Sequence, residues 1–91
     1  MSEPRFAVVF SEGFNKSVRL LPAPVRKKLP DLLVLVSDNP YDSRLHTKSL
    51  NGKLSEMYSF RITRDYRVAF IFKDHRTIQL IRAKHRKDIY R

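Results

Sequence analysis

A β-hairpin over residues 50–72 constrains the fold more than any other stretch of the chain. Its arms, residues 57–62 and 66–72, are rich in aromatic and β-branched side chains, and the polar residues between them have turn chemistry. A three-residue turn pairs Ile62 with Tyr66, and alternate side chains then share a face. One face becomes an apolar core layer made of Tyr58, Phe60, Ile62, Tyr66, Val68, Phe70 and Phe72.

The opposite face of the hairpin places Arg61 directly across from Arg67, beside Ser59, Ala69 and Ile71. Two like charges in that position oppose folding by a few tenths of a kcal/mol up to about 1 kcal/mol. An anionic ligand lying between the two guanidinium groups would relieve this repulsion. Two solvated arginines on the wet face of an antiparallel sheet explain the same pattern, so both interpretations stay open.

The length and charge of the chain bound its class. A chain of 91 residues is predicted to form one domain, residues 1–91, with a single modest core. Its hydrophobic fraction of 42% indicates a folded protein rather than a disordered one. Nineteen Lys and Arg against nine Asp and Glu give a net charge of +10, which favours a polyanionic partner over a merely basic protein.

Several classes of protein are disfavoured by composition. The chain has no cysteine and three scattered histidines, so we expect neither a metal site nor a cofactor. No apolar run approaches the roughly 20 residues that span a bilayer, and the N-terminus lacks a signal-peptide pattern. The sequence therefore predicts a cytoplasmic protein that does not contact membranes.

A strand and a short helix precede the hairpin. Residues 5–10 alternate in a way that predicts a strand largely buried on both faces. Ser11 is a candidate N-cap, and Phe14, Val18 and Leu21 then form one apolar stripe on a helix. A first strand followed by an amphipathic helix is therefore predicted.

A second helix is predicted from Pro24 until just before Asn39-Pro40, with an apolar face that packs against the core. Pro30 removes one backbone hydrogen bond in the middle of this helix, so the segment is expected to kink or break there. The predicted buried positions are Val25, Leu29, Leu32, Leu33 and Val36.

The remaining segments complete an α+β domain. Residues 39–55 are predicted to be a polar loop, residues 77–82 a fourth strand, and residues 83–91 a short basic C-terminal segment. The predicted order is β-α-α-β-β-β, with a small antiparallel sheet packed against a two-helix hairpin.

The candidate chemistry is cationic. The chain has no glycine-rich phosphate loop, no nucleophile elbow and no carboxylate pair. His85, Tyr90 and a lysine such as Lys84 or Lys53 could move protons. RNA carries its own nucleophile, the 2′-hydroxyl, so such groups suit metal-independent cleavage of RNA. The alternative to catalysis is that the basic C-terminal segment is only solvated or forms a binding surface.

A set of short motifs in order resembles the RelE/ParE toxin superfamily of bacterial type II toxin-antitoxin systems over nearly the whole chain. The short helical hairpin ahead of these motifs is more similar to the RelE, YoeB and YafQ branch than to the ParE branch. The resemblance implies a RelE-like fold. The motifs are Asn39-Pro40, Leu50-Asn51-Gly52, Tyr58-Ser59-Phe60-Arg61-Ile62, Asp65-Tyr66-Arg67-Val68 and His85-Arg86-Lys87-Asp88-Ile89-Tyr90.

The resemblance implies an endoribonuclease, or mRNA interferase, that cuts mRNA on the ribosome without a metal and so inhibits translation. By position, Arg67 and Arg61 would contact the scissile phosphate, and Tyr90 would orient or stack the substrate. Lys84 or His85 would carry the proton, and the residues leave this choice open. Ser59 departs from the pattern, because RelE has a lysine at that position, so the general-base role must lie elsewhere or be weaker in this chain.

Further basic residues are candidates to bind RNA or the ribosome, although such surface cations are more often only solvated. They are Arg26, Lys27, Lys28, Lys48, Lys53, Arg82 and Arg86.

The resemblance also implies partners. A cognate antitoxin, acidic and helical or partly disordered, is expected to wrap the toxin, and operator DNA would be bound only through that complex. The ribosome and mRNA are the expected targets. A ParE-like inhibitor of DNA gyrase without nuclease activity, or a non-catalytic binding module, are the competing hypotheses.

Overall fold

A computed structural model describes residues 5–50 and 56–89 of the chain. The described residues form a single sheet with helices on one of its faces, and a short 3₁₀ helix in the connection before the hairpin. The elements are β1 (Ala7–Phe10), α1 (Glu12–Arg19), α2 (Ala23–Arg26), α3 (Leu29–Asp38), the 3₁₀ helix (Ser43–Leu45), β2 (Lys48–Ser49), β3 (Tyr58–Arg61), β4 (Tyr66–Asp74) and β5 (Thr77–His85).

The strands lie in the order β1-β5-β4-β3-β2. The pairs β2–β3, β3–β4 and β4–β5 are antiparallel, whereas β1 is parallel to β5. The α+β fold predicted from the sequence is confirmed, and the sheet is mixed because the helices carry the chain from β1 back across the sheet. No helix in the described ranges is long and apolar enough to cross a membrane.

The predicted hairpin register is confirmed. The Ile62 N–H donates to the Tyr66 carbonyl at 2.8 Å, and Arg61 pairs with Arg67. On the apolar face Phe60 and Phe70 are completely buried. The helices therefore cover this face of the hairpin, and the arginine face points away from them.

The prediction that the first strand is buried on both faces is wrong. Val9 and Phe10 are 38% and 49% exposed. β1 is the edge strand of the sheet, and only Val8 of this strand, with Phe6 just before it, packs against the core.

The first helix begins as predicted at Ser11. The Ser11 hydroxyl oxygen accepts from the Phe14 N–H at 3.0 Å, and its O–H donates to the Ile81 carbonyl of β5 at 3.0 Å. A Cβ on Gly13 would lie 3.2 Å from the same Ile81 oxygen, so the glycine lets α1 approach β5 closely. Phe14 and Leu21 of the predicted apolar stripe are buried.

Pro30 divides the second predicted helix in two. α2 ends at Arg26, and α3 begins at Leu29 with Pro30 in its first turn, where a missing backbone N–H leaves no hydrogen bond unmade. The expected break is confirmed. Val25, Leu29 and Val36 of the predicted face are buried.

Two boundaries differ from the predictions. The predicted loop 39–55 contains β2, which pairs Lys48 with Ser59. The predicted fourth strand ended at residue 82, but β5 continues to His85 because that residue still pairs with Tyr66. The first part of the basic C-terminal segment is therefore strand.

Candidate functional site

The sheet surface opposite the helices carries cations from four strands, and we name it the cationic face. Opposite residues in a sheet point to the same side, so the register defines two rows across the strands. One row joins Arg61 of β3, Arg67 of β4 and Lys84 of β5. The second row, next to it, is Lys48, Ser59, Ala69 and Arg82.

A β-bulge decides which β5 side chains reach this face. Ala69 pairs with Arg82, but its neighbour Phe70 pairs with Leu80, so Ile81 is an extra residue in β5. Without the extra residue the alternation of β5 would turn Arg82 and Lys84 toward the helices. The bulge thus moves two cations onto the cationic face.

The arginine pair is unusual because Arg67 is buried, Arg61 is half-buried, and neither forms an ion pair among the described residues. Arg67 is only 8% exposed, and the buried Arg61 Nε has no hydrogen-bond partner among the described residues. Buried polar groups normally have a hydrogen-bond partner, and this guanidinium nitrogen has none within the described ranges. Within the described ranges, ion pairs form elsewhere and join Lys16 to Glu12, Arg44 to Asp42 and Arg86 to Asp65.

Small side chains form the floor between these cations. Ser59 and Ala69 are 1% and 0% exposed, and the exposed Lys48 and Lys84 stand at the edges of the face. Ser59 and Ala69 are covered, so the cations around them are the groups on this face that can meet an anion. Ser59 has no charge or basic nitrogen to contribute to proton transfer.

The C-terminal turn closes against one side of the cationic face. The Arg82 Nε–H donates to the Ile89 carbonyl at 3.2 Å, and Ile89 is completely buried although it lies outside the main core cluster. Sequence reasoning missed Ile89, because a single apolar residue between charged ones has no periodic pattern. It also missed Ser17, whose buried hydroxyl accepts from the Ala83 N–H at 2.8 Å.

His85 lies on the other side of the sheet from the two arginines. It pairs with Tyr66 on the helix-covered face, and the two rings meet edge to face with their centroids 5.3 Å apart. Its Nδ1 accepts from the Lys87 N–H at 3.1 Å. The structure therefore brings Lys84, and not His85, to the cationic face.

The other predicted site residues are distributed differently. Arg26 donates to the Leu21 carbonyl at 3.4 Å, and Lys27 and Lys28 line a groove of about 540 Å³ beside Ile62, on the helix side of the sheet. The three predicted contacts of this helix region are therefore apart from the cationic face. Arg86 pairs with Asp65 at 3.7 Å, and Lys53 and Tyr90 lie outside the described residues.

The titrating groups with shifted pKa values lie away from the cationic face. Hydrogen bonds from the Arg44 side chain and backbone lower the pKa of Asp42 to about 2. The Arg76 N–H and the Thr77 hydroxyl lower the pKa of Asp74, and burial followed by the neighbouring Tyr58 raises that of Tyr41. In the part of the chain that the structure describes, no group of three His, Asp or Glu side chains is placed to hold a metal ion.

The architecture matches solved toxin structures. The M. tuberculosis toxin-antitoxin complex RelBE2 superposes with a TM-score of 0.75 at 23% identity, covering 92% of this chain and 100% of that chain. YafQ from E. coli superposes with a TM-score of 0.75 at 17% sequence identity, covering 94% of this chain and 99% of that chain. The RelB-RelE complex of Methanococcus jannaschii superposes with a TM-score of 0.72 at 25% sequence identity, covering 90% of this chain and 94% of that chain.

These similarities define the class of the fold. It is the fold of the RelE/ParE toxin superfamily, as the sequence motifs predicted. No protein-family model matches the sequence, and a comparison with curated proteins finds no match.

Proposed function

We propose that the protein is the toxin of a type II toxin-antitoxin system and acts as a ribosome-dependent mRNA endonuclease. The observation that carries this proposal is the pairing of half-buried Arg61 with buried Arg67, which has no countercharge among the described residues, and Lys84 lies in the same row. A bridging phosphate would supply the acceptor that the Arg61 Nε lacks and would relieve the repulsion between the two arginines.

The proposed cleavage chemistry follows from the RNA substrate and from the row of Arg61, Arg67 and Lys84. The 2′-oxygen of RNA attacks the adjacent phosphorus, and Arg61 and Arg67 stabilise the charge that develops on the phosphorane. Lys84 is the proton carrier in this proposal, taking the 2′-hydroxyl proton and returning one to the 5′-oxygen. The P–O5′ bond breaks, leaving a 2′,3′-cyclic phosphate and a 5′-hydroxyl. Tyr90 orients or stacks the substrate.

The edges of the cationic face suit binding of the RNA backbone. Lys48 and Arg82 flank Ser59 and Ala69 in the second row, and the proposal adds Lys53 and Arg86 as further contacts to RNA. Arg26, Lys27 and Lys28, on the other side of the sheet, would contact a second part of the ribosome. Such contacts are electrostatic and would weaken with salt.

The proposed regulatory partner is a cognate antitoxin. The M. tuberculosis and M. jannaschii structures are complexes with an antitoxin. On this chain a groove of about 260 Å³ between α1 and α3 is lined by apolar side chains such as Phe10, Phe14 and Leu33, and also by Arg26. An acidic amphipathic helix would match both its apolar walls and the net charge of +10. Operator DNA would be bound only through this complex.

The test is primer extension on a defined mRNA in a purified translation system, with and without ribosomes. We expect ribosome-dependent cuts with the wild-type protein and a loss of about 10²- to 10³-fold in cleavage rate for Arg67→Ala, the size expected for one stabilising donor. Arg76→Ala, in the turn between β4 and β5, removes the same charge away from the cationic face and should cleave normally.

Circular dichroism and urea unfolding would establish that the variants fold. A folded Arg67→Ala variant that cleaves at the wild-type rate would remove Arg67 from the site. Intact mRNA with antitoxin-free wild-type protein would contradict the nuclease proposal, and accumulated DNA breaks in cells would then indicate gyrase inhibition. If cells show neither cut mRNA nor DNA breaks, the protein is a non-catalytic binding module.

A further inference from the structure

The C-terminal turn, residues 85–89, links His85 to the cationic face through a chain of hydrogen bonds. The His85 carbonyl accepts from the Asp88 N–H at 2.8 Å and from the Ile89 N–H at 3.1 Å. The Ile89 carbonyl in turn accepts from the Arg82 Nε–H at 3.2 Å. The turn therefore begins on one face of the sheet and ends at a guanidinium on the other.

The His85 imidazole stabilises the start of this turn. Its Nδ1 accepts from the Lys87 N–H, two residues ahead, as an Asp or Asn side chain does in an Asx turn. A nitrogen that accepts a hydrogen bond carries no proton, so the proton of the neutral ring lies on Nε2. The edge-to-face contact with Tyr66 holds the ring on the helix-covered face.

A second anchor fixes the same turn to the hairpin. The Arg86 N–H donates to the Asp65 carbonyl at 2.6 Å, and the Arg86 side chain pairs with the Asp65 carboxylate at 3.7 Å. The buried Ile89 side chain closes the other end. With both ends held, the Ile89 carbonyl has a defined position, and it orients the Arg82 guanidinium.

We infer that His85 is a positioning residue, which holds the C-terminal turn through Nδ1 and thereby orients Arg82, and that it does not carry a proton at the phosphate. This inference rests on the proposed endonuclease function for its effect on cleavage. A proton carrier must reach the reacting oxygens, and the His85 ring lies on the opposite face of the sheet from Arg61 and Arg67.

Two substitutions separate the roles of the two ring nitrogens. In His85→Asn the amide oxygen is attached to Cγ, as Nδ1 is, and can accept the Lys87 N–H without titrating. In His85→Gln the polar atoms lie one bond farther out, near the Nε2 position, and the local acceptor is lost. Neither variant can act as an acid or base near neutral pH.

The test measures three quantities on both variants: single-turnover cleavage of ribosome-bound mRNA, amide hydrogen exchange at Ile89, and the NMR signal of the Arg82 Nε–H. We expect His85→Asn to match the wild type in all three. For His85→Gln we expect about five- to tenfold faster exchange at Ile89, as for the loss of one hydrogen bond, and a comparable fall in cleavage rate with ribosome affinity unchanged.

Three results would overturn the inference about His85, and each differs from the expected one. Slow cleavage by both variants with an intact turn would make His85 a proton carrier and overturn the inference. Wild-type behaviour of both variants, or a disrupted turn in both, would also overturn it. If the wild-type protein cleaves no mRNA, the proposed function fails, but the exchange and Arg82 measurements still decide whether Nδ1 holds the turn.

Discussion

At the scale of single residues, the arginine pair is a place where stability and function are expected to oppose each other. Arg61 and Arg67 repel each other across β3 and β4, and Arg67 is largely removed from water. Such an arrangement persists in a folded protein when the rest of the core compensates for it. The pair is therefore more informative about function than the exposed cations of the helices.

Arg67→Met should stabilise the free protein while it slows cleavage as Arg67→Ala does. The substitution keeps much of the side-chain volume and removes one of two opposed charges, so we expect the free energy of unfolding to rise by a few tenths of a kcal/mol up to about 1 kcal/mol. Urea unfolding at neutral pH measures this. Arg64→Met, at an exposed turn position, should change stability by less than about 0.5 kcal/mol.

If Arg67→Met lowers the free energy of unfolding by more than Arg64→Met does, the Arg67 guanidinium has satisfied hydrogen bonds in the free protein. That result would weaken the case for a bound phosphate at this position.

At the scale of elements, α1 continues the edge of β5 where β1 ends. The parallel pairing of β1 with β5 stops at Phe10 and Leu80. Beyond that point the Ser11 hydroxyl donates to the Ile81 carbonyl, and the Ser17 hydroxyl accepts from the Ala83 N–H. Two helix side chains thus take the hydrogen bonds that a longer β1 would have made.

Ser17→Ala should destabilise the fold through this edge. It leaves the buried Ala83 N–H without an acceptor, so we expect a loss of about 1–3 kcal/mol in the free energy of unfolding. The matched control is Ser37→Ala, whose hydroxyl donates to the exposed Val34 carbonyl and should cost less than about 0.5 kcal/mol. Equal effects of the two substitutions in urea unfolding would mean that the Ala83 N–H finds another acceptor.

The bulge at Ile81 belongs to the same set of contacts. The extra residue lies where the Ser11 hydroxyl meets β5 and where Gly13 allows α1 its close approach. The docking of α1 on β5 therefore also fixes which side of the sheet Arg82 and Lys84 occupy.

At the scale of the whole molecule, the net charge of +10 makes binding to the ribosome sensitive to salt. The cationic face contributes only part of this charge, and the helices carry further cations on the other side of the sheet. Salt dependence can separate the contribution of the cationic face from that of the helix cations, because each phosphate contact that is lost lowers the slope of log binding constant against log salt concentration.

Lys48→Gln should lower that slope by about 0.7, the value for one contact to a single strand. The dissociation constant is measured between 50 and 200 mM salt, about the range over which phosphate contacts are revealed, on ribosomes carrying an uncleavable 2′-O-methyl mRNA. Lys73→Gln removes the same charge from the exposed end of β4 and should leave the slope close to that of the wild type. Identical slopes for the two variants would place Lys48 outside the RNA contact.

The sequence by itself determined the hairpin register, the buried face, the Ser11 cap, the break at Pro30 and the superfamily of the fold. Each of these depends on a local period, a local hydrogen bond or a short motif. The tertiary structure alone decided that β1 is an exposed edge, that Arg82 and Lys84 join the arginines, and that His85 does not. The edge position of β1 depends on the strand order of the whole sheet. The placement of Arg82, Lys84 and His85 depends on a single bulge in β5, which lies where residues about 70 positions apart are in contact, and a strict alternation read along one strand cannot reveal it.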